Sequence, residues 1–89
     1  MGTGAYLALG SNLGDRLEHL REAVRRLGAT DGIEVARSSR IYETEPVGPP
    51  QPPYLNAVLE VETTLTPREL LGACQAVEDA LGRVRAERW

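Results

Sequence analysis

Pro49, Pro50, Pro52 and Pro53 fall within five residues, with Pro46 and Gly48 just ahead of them, in the stretch ETEPVGPPQPPY. Proline has no N–H to give to a sheet ladder, and its ring fixes φ. A loop of restricted shape must therefore stand here. Regular structure is confined to the two flanks.

On the N-terminal flank, AYLAL (Ala5 to Leu9) is a continuous apolar run ending at Gly10, suited to a strand buried on both faces. GSNLGD follows as a turn. From Asp15 the apolar positions Leu17, Leu20, Val24 and Leu27 recur at steps of three and four, with Ala23 beside them. That spacing predicts a helix with one buried stripe, ended by Gly28. His19 falls off the stripe and reads as a surface residue. A second strand is predicted over Ile33 to Tyr42, which opens by alternating Ile33 and Val35 with Glu34 and Ala36.

Beyond the prolines, YLNAVLEVET (Tyr54 to Thr63) sets Leu55, Ala57, Leu59 and Val61 on one face of a third strand. Asn56, Glu60 and Glu62 take the other face, with Val58 among them. TPRELL then opens a second helix. Thr66 is the N-cap, Pro67 stands at the first helical position, and Glu69 completes a capping box. Leu70, Cys74, Val77 and Leu81 form its stripe, joined by Leu71, Ala73 and Ala80, which makes Cys74 a small core residue, and Gly82 ends it.

The predicted order is β-α-β-β-α in one α+β domain, residues 1–89, with an antiparallel-type sheet and both helices on one face. One more strand would complete the split-βαβ, ferredoxin-like arrangement. That fourth strand is expected to be missing from this chain, leaving AYLAL as an exposed apolar edge and a template for self-association.

Composition narrows the function classes. The formal charge is −3 and the pI about 5.1, which argue against nucleic acid or an anionic membrane as the main partner. All ten cations are arginines, so there is no lysine nucleophile and no P-loop. One cysteine makes neither an internal disulfide nor a metal cluster. No apolar run reaches membrane-spanning length and no signal pattern opens the chain, so a cytoplasmic location is expected.

Two constellations carry chemistry. GRVRAER packs Arg83, Arg85 and Arg88 into six positions after Gly82. Cations at a helix end complement its dipole. Alternatively, Arg83 and Arg85, two apart in extended chain, offer paired guanidinium forks to a phosphate, with Trp89 as a flat face for a planar ring. In the second constellation, TEPVG leads into Tyr54 and Asn56. A constrained loop beside an amide that both donates and accepts can wall a heterocycle, although a loop followed by a solvated Asn would read the same. The glycines of LGSNLGD are weak as a phosphate loop and are explained equally well by a tight strand-to-helix turn.

Taken in order and spacing, AYLALGSNLGDR, IYETEPVG, YLNAV and QAVEDALGRVRAERW resemble the hydroxymethylpterin pyrophosphokinases of folate biosynthesis over essentially the whole chain. The resemblance implies a ferredoxin-like transferase, a kinase that moves pyrophosphate from ATP to 6-hydroxymethyl-7,8-dihydropterin. By the same resemblance Thr44, Pro46, Val47, Tyr54 and Asn56 contact the pterin and Trp89 closes over it. Gln75, Glu78, Arg83 and Arg85 face ATP, with the two arginines on its phosphates as the catalytic pair. Glu45 stands where some members have a second proline.

The family continues past Arg-Trp into an Asp-x-Asp strand that holds magnesium, and this chain has no such pair. Magnesium is therefore expected with no ligands from these residues. The 89 residues are expected to be an incomplete pyrophosphokinase domain that does not catalyse alone. The rival reading is a non-catalytic ferredoxin-like module that binds a small molecule. An RNA-binding module is disfavoured by the pI and by the lack of phenylalanine.

Overall fold

The computed structural model describes residues 2–12, 14–45, 52–81 and 84–88, the last five as backbone. In chain order the elements are β1 (Thr3–Ser11), α1 (Arg16–Gly28), β2 (Ile33–Ser38), β3 (Tyr42–Thr44), β4 (Tyr54–Thr63), α2 (Pro67–Leu81) and β5 (Val84–Arg88). The strands form one antiparallel sheet in the order β2-β4-β1-β5, with β3 also on β4. This is the α+β, ferredoxin-like arrangement.

Both helices lie on one face of the sheet. Leu7 and Leu9 of β1 and Ala57, Leu59 and Val61 of β4 are buried against Leu20, Ala23 and Leu27 of α1 and Leu70, Cys74 and Val77 of α2. The alternate positions of the same two strands, Tyr6, Ala8 and Gly10 opposite Glu60, Val58 and Asn56, occupy the helix-free face. Removing one of the fully buried leucines should cost about 2–5 kcal/mol, as core truncations do.

The caps follow local chemistry. Asp15 accepts from the Glu18 backbone N–H at 3.1 Å and starts α1. At the start of α2 the Thr66 N–H donates to the Glu69 carboxylate at 2.9 Å, and the Glu69 N–H donates to the Thr66 hydroxyl at 3.1 Å. That reciprocal pair is the expected capping box. Gly28 ends α1 as expected, without a left-handed turn. It is the last helical residue, and Ala29 caps in the right-handed region at φ −89°. The positive φ comes later, at Gly32 (90°), where an added Cβ would stand 2.7 Å from Leu65.

Two strand expectations are corrected. Residues 84–88, expected as an irregular segment after the helix, form β5 and pair with β1 from Leu7↔Arg88 to Ser11↔Val84. Strand β1 therefore lies between β4 and β5. It is no exposed edge, and self-association through it loses its basis. The expected strand Ile33 to Tyr42 is two strands. Its register on β4 shifts between Val35 and Arg37. Beyond it the Ser39 hydroxyl accepts from the Val58 N–H at 2.8 Å. The chain re-enters the sheet as β3, opposite the first residues of β4.

Candidate functional site

Asn56 stands in the middle of a row of backbone partners that crosses four strands. Tyr42 of β3 pairs with Asn56 of β4, Asn56 with Gly10 of β1, and Gly10 with Arg85 of β5. Two far-separated sequence motifs, the YLNAV strand and the GRVRAER segment, thus meet across a single glycine.

The side chain of Asn56 is fixed from the β3 side. Its Nδ2 donates to the Thr44 hydroxyl at 2.7 Å and lies 3.3 Å from the carbonyls of Tyr42 and Tyr54. With both N–H groups directed into the protein, the carbonyl Oδ1 is the group held in a defined direction for a partner. That oxygen would sit 3.2 Å from a Cβ added at Gly10, and the Tyr54 ring would be equally close. Gly10 is thus required by close approach: Asn56 and Tyr54 lie over its backbone. The glycine pair in LGSNLGD serves packing here at Gly10 and turn geometry at Gly14, which has φ 65°.

Thr44 and Tyr54 are themselves partners in the β3–β4 ladder. Three expected pterin residues, Thr44, Tyr54 and Asn56, are therefore brought to one corner of the sheet. Pro46 and Val47, which connect Thr44 to Tyr54 in sequence, lie outside the described residues, as do Arg83 and Trp89. Arg85 is placed by its backbone at the register position across β1 from Asn56. Gln75 is exposed and Glu78 half-buried on α2, three residues apart and so on one side of that helix. They belong to the helix layer, whereas Asn56 belongs to the other face of the sheet.

One residue at this corner was not anticipated. Arg16, the first residue of α1, donates through Nη1 to the Glu43 carboxylate at 2.9 Å and to the Pro53 carbonyl at 2.9 Å. Nearby, the Asn12 amide makes a long contact of 3.5 Å with the Pro52 carbonyl. A signal existed in the sequence, since a cation at the first helical position opposes the helix dipole and needs a partner elsewhere.

The Arg37 guanidinium is raised above its ordinary range chiefly by its hydrogen bond to Glu60, 2.7 Å away on the helix-free face. Among the described residues no three His, Cys, Asp or Glu side chains are grouped to hold a metal ion.

Residues 6–89 match the family described as 7,8-dihydro-6-hydroxymethylpterin-pyrophosphokinase. The chain belongs to that family. A protein of Bacillus subtilis (strain 168) named 2-amino-4-hydroxy-6-hydroxymethyldihydropteridine pyrophosphokinase is 49% identical over 86 residues, which are 96% of this chain and 52% of the relative. One of the same name from Methylorubrum extorquens is 50% identical over 88 residues, covering 98% of this chain and 56% of the relative. A third, from Pseudomonas putida, is 42% identical over 85 residues, covering 96% and 71%. The chain spans about half the length of the first two. As a pyrophosphokinase-family chain it carries the Asn56 corner within the matched region. No helix among the described residues is long and apolar enough to cross a membrane.

Proposed function

We propose that this chain supplies the pterin-binding wall and part of the nucleotide site of an enzyme that transfers pyrophosphate from ATP to 6-hydroxymethyl-7,8-dihydropterin. The observation that carries the reading is the convergence of Tyr54 and Asn56 over the bare backbone of Gly10, with the Thr44 hydroxyl holding the Asn56 amide. Family membership supplies the reaction class, and this corner is where a planar, hydrogen-bonding substrate fits it.

In this reading the Asn56 carbonyl accepts from the heterocycle edge, and the Tyr54 ring gives an apolar surface beside it. Pro46, Val47 and Trp89 complete the pterin contacts. Arg83 and Arg85 receive the phosphates, and Gln75 and Glu78 the rest of the nucleotide. The hydroxymethyl oxygen attacks the β-phosphorus of ATP, the bond to the α-phosphate oxygen breaks, AMP leaves, and the hydroxyl proton is released. The protein does little covalent work in such a step. Its contribution is alignment of the two substrates and fixed positive charge beside the phosphates. Magnesium is expected of the family, where it would share the charge of the phosphates. A cytoplasmic location suits folate-precursor chemistry and belongs to the same proposal.

The test is calorimetric titration of the chain with 6-hydroxymethylpterin and, separately, with a non-hydrolysable ATP analogue, for wild type and for Asn56→Ala. Pterin binding that weakens in the variant supports the assignment. Pterin binding indifferent to Asn56 contradicts it.

A further inference from the structure

Arg16 touches the chain immediately before each member of one cross-strand pair. Glu43 precedes Thr44 and Pro53 precedes Tyr54, and Thr44 and Tyr54 are ladder partners between β3 and β4. A single nitrogen, Nη1, reaches both neighbours, the Glu43 carboxylate and the Pro53 carbonyl, each at 2.9 Å. A terminal guanidinium nitrogen carries two hydrogens, so both bonds can be made at once.

Stability is a poor explanation for this arrangement. The ion pair is partly solvated, with Arg16 31% and Glu43 52% exposed, and such pairs contribute little. The dipole of α1 opposes a cation at its first residue. Geometry is the better explanation. β3 is only three residues long and lies at the outer side of β4, where a short strand has few ladder bonds to hold its position. Arg16 ties that strand, and the start of β4, to the first turn of a helix anchored in the core.

We infer that Arg16 is a positioning residue for the Asn56 corner. It holds Glu43 and Pro53 together, and thereby keeps the Thr44 hydroxyl where the Asn56 amide can donate to it. Its consequence for substrate rests on the pterin reading above; its effect on Asn56 does not.

The experiment compares wild type, Arg16→Ala and Arg16→Lys as full 89-residue chains. The ligand-free readout is the pair of Asn56 side-chain amide signals in nitrogen-15 NMR, with the Leu7 and Leu59 backbone amides as core controls. The second readout is the dissociation constant for 6-hydroxymethylpterin. In Arg16→Ala the Asn56 signals should move and exchange faster while the core amides stay protected. Pterin affinity should fall about tenfold, since a small displacement of a positioning group is costly. Lysine, which can still donate to a carboxylate and a carbonyl, should recover part of both losses. Unchanged Asn56 signals in Arg16→Ala would overturn the inference, as would pterin affinity within twofold of wild type. Equal loss of protection at Asn56 and in the core would overturn it too, by making Arg16 a residue of general stability. If wild type binds no pterin the functional reading fails, and the Asn56 signals still decide the role of Arg16.

Discussion

The Asn56 amide donates to the Thr44 hydroxyl at 2.7 Å, joining the two sides of the proline run through side chains as well as through the β3–β4 ladder. This bond leaves the Asn56 carbonyl as the free end of a preset amide. A pterin edge that donates to it exchanges water for a partner that needs no reorganisation. Asn56→Ala is accordingly expected to weaken pterin binding by about 1–3 kcal/mol, the usual cost of leaving a buried polar edge unpaired. Binding of the ATP analogue should be nearly unchanged. Parallel titrations check the difference, and equal losses for both ligands would speak against the assignment.

Gly10 should be intolerant of even a methyl group because two side chains lie over it. A Cβ there would stand 3.2 Å from both Asn56 Oδ1 and the Tyr54 ring, so Gly10→Ala pushes on the two side chains that form the wall. Overpacking of this kind typically costs about 1–3 kcal/mol, and here the affinity for pterin should bear most of it. Thermal unfolding measured beside pterin titration separates the two effects. A large drop in melting temperature with intact pterin affinity would refute the prediction.

The second helix, the most legible element in the sequence, allows a stability test independent of the site. The Thr66 N–H, and after it the Thr66 side chain, hold the Glu69 carboxyl below its ordinary range. A carboxyl lowered on folding contributes stability above its unfolded pKa, and loses it as pH falls through the folded one. Urea unfolding of wild type and Glu69→Gln should therefore differ at neutral pH and converge as the pH drops through the acidic carboxylate range. Thr66→Ala should cost about 1 kcal/mol, as loss of an N-cap does.

Arg85 shares a register row with Asn56 through Gly10. If it meets phosphate, Arg85→Ala should weaken the ATP analogue by about 1.5–3 kcal/mol, the range for hydrogen bonds to charged groups. Pterin binding should be spared, and lysine should restore charge without the bidentate fork. Full rescue by lysine would show that only the charge matters there.

The pattern of successes and misses has physical causes. The alternation from Tyr54 to Thr63 and the capping box at Thr66 are local signals, and the structure follows both. Strand β5 was missed because Val84 and Ala86 alternate over too short a span to outweigh three arginines after a glycine. The break between β2 and β3 depends on a register shift at Val35 and Arg37 and on the Ser39 hydroxyl standing in for a ladder group. Neither is visible in residue periodicity. Thr44, Tyr54 and Asn56 could be named from motif resemblance. Their common corner could not, because it depends on Gly10 lying beneath Tyr54 and Asn56 and on Arg16 reaching across from α1.

In the proposed function the Thr44–Tyr54–Asn56 corner receives the pterin ring. The most direct measurement is a nitrogen-15 NMR titration of the 89-residue chain with 6-hydroxymethylpterin, following the Asn56 side-chain amide and the Gly10 and Thr44 backbone amides. Saturable shifts concentrated at those three residues, absent in Asn56→Ala, are the predicted result. Saturable shifts confined to another part of the sheet, or none at ligand concentrations in the millimolar range, would contradict it.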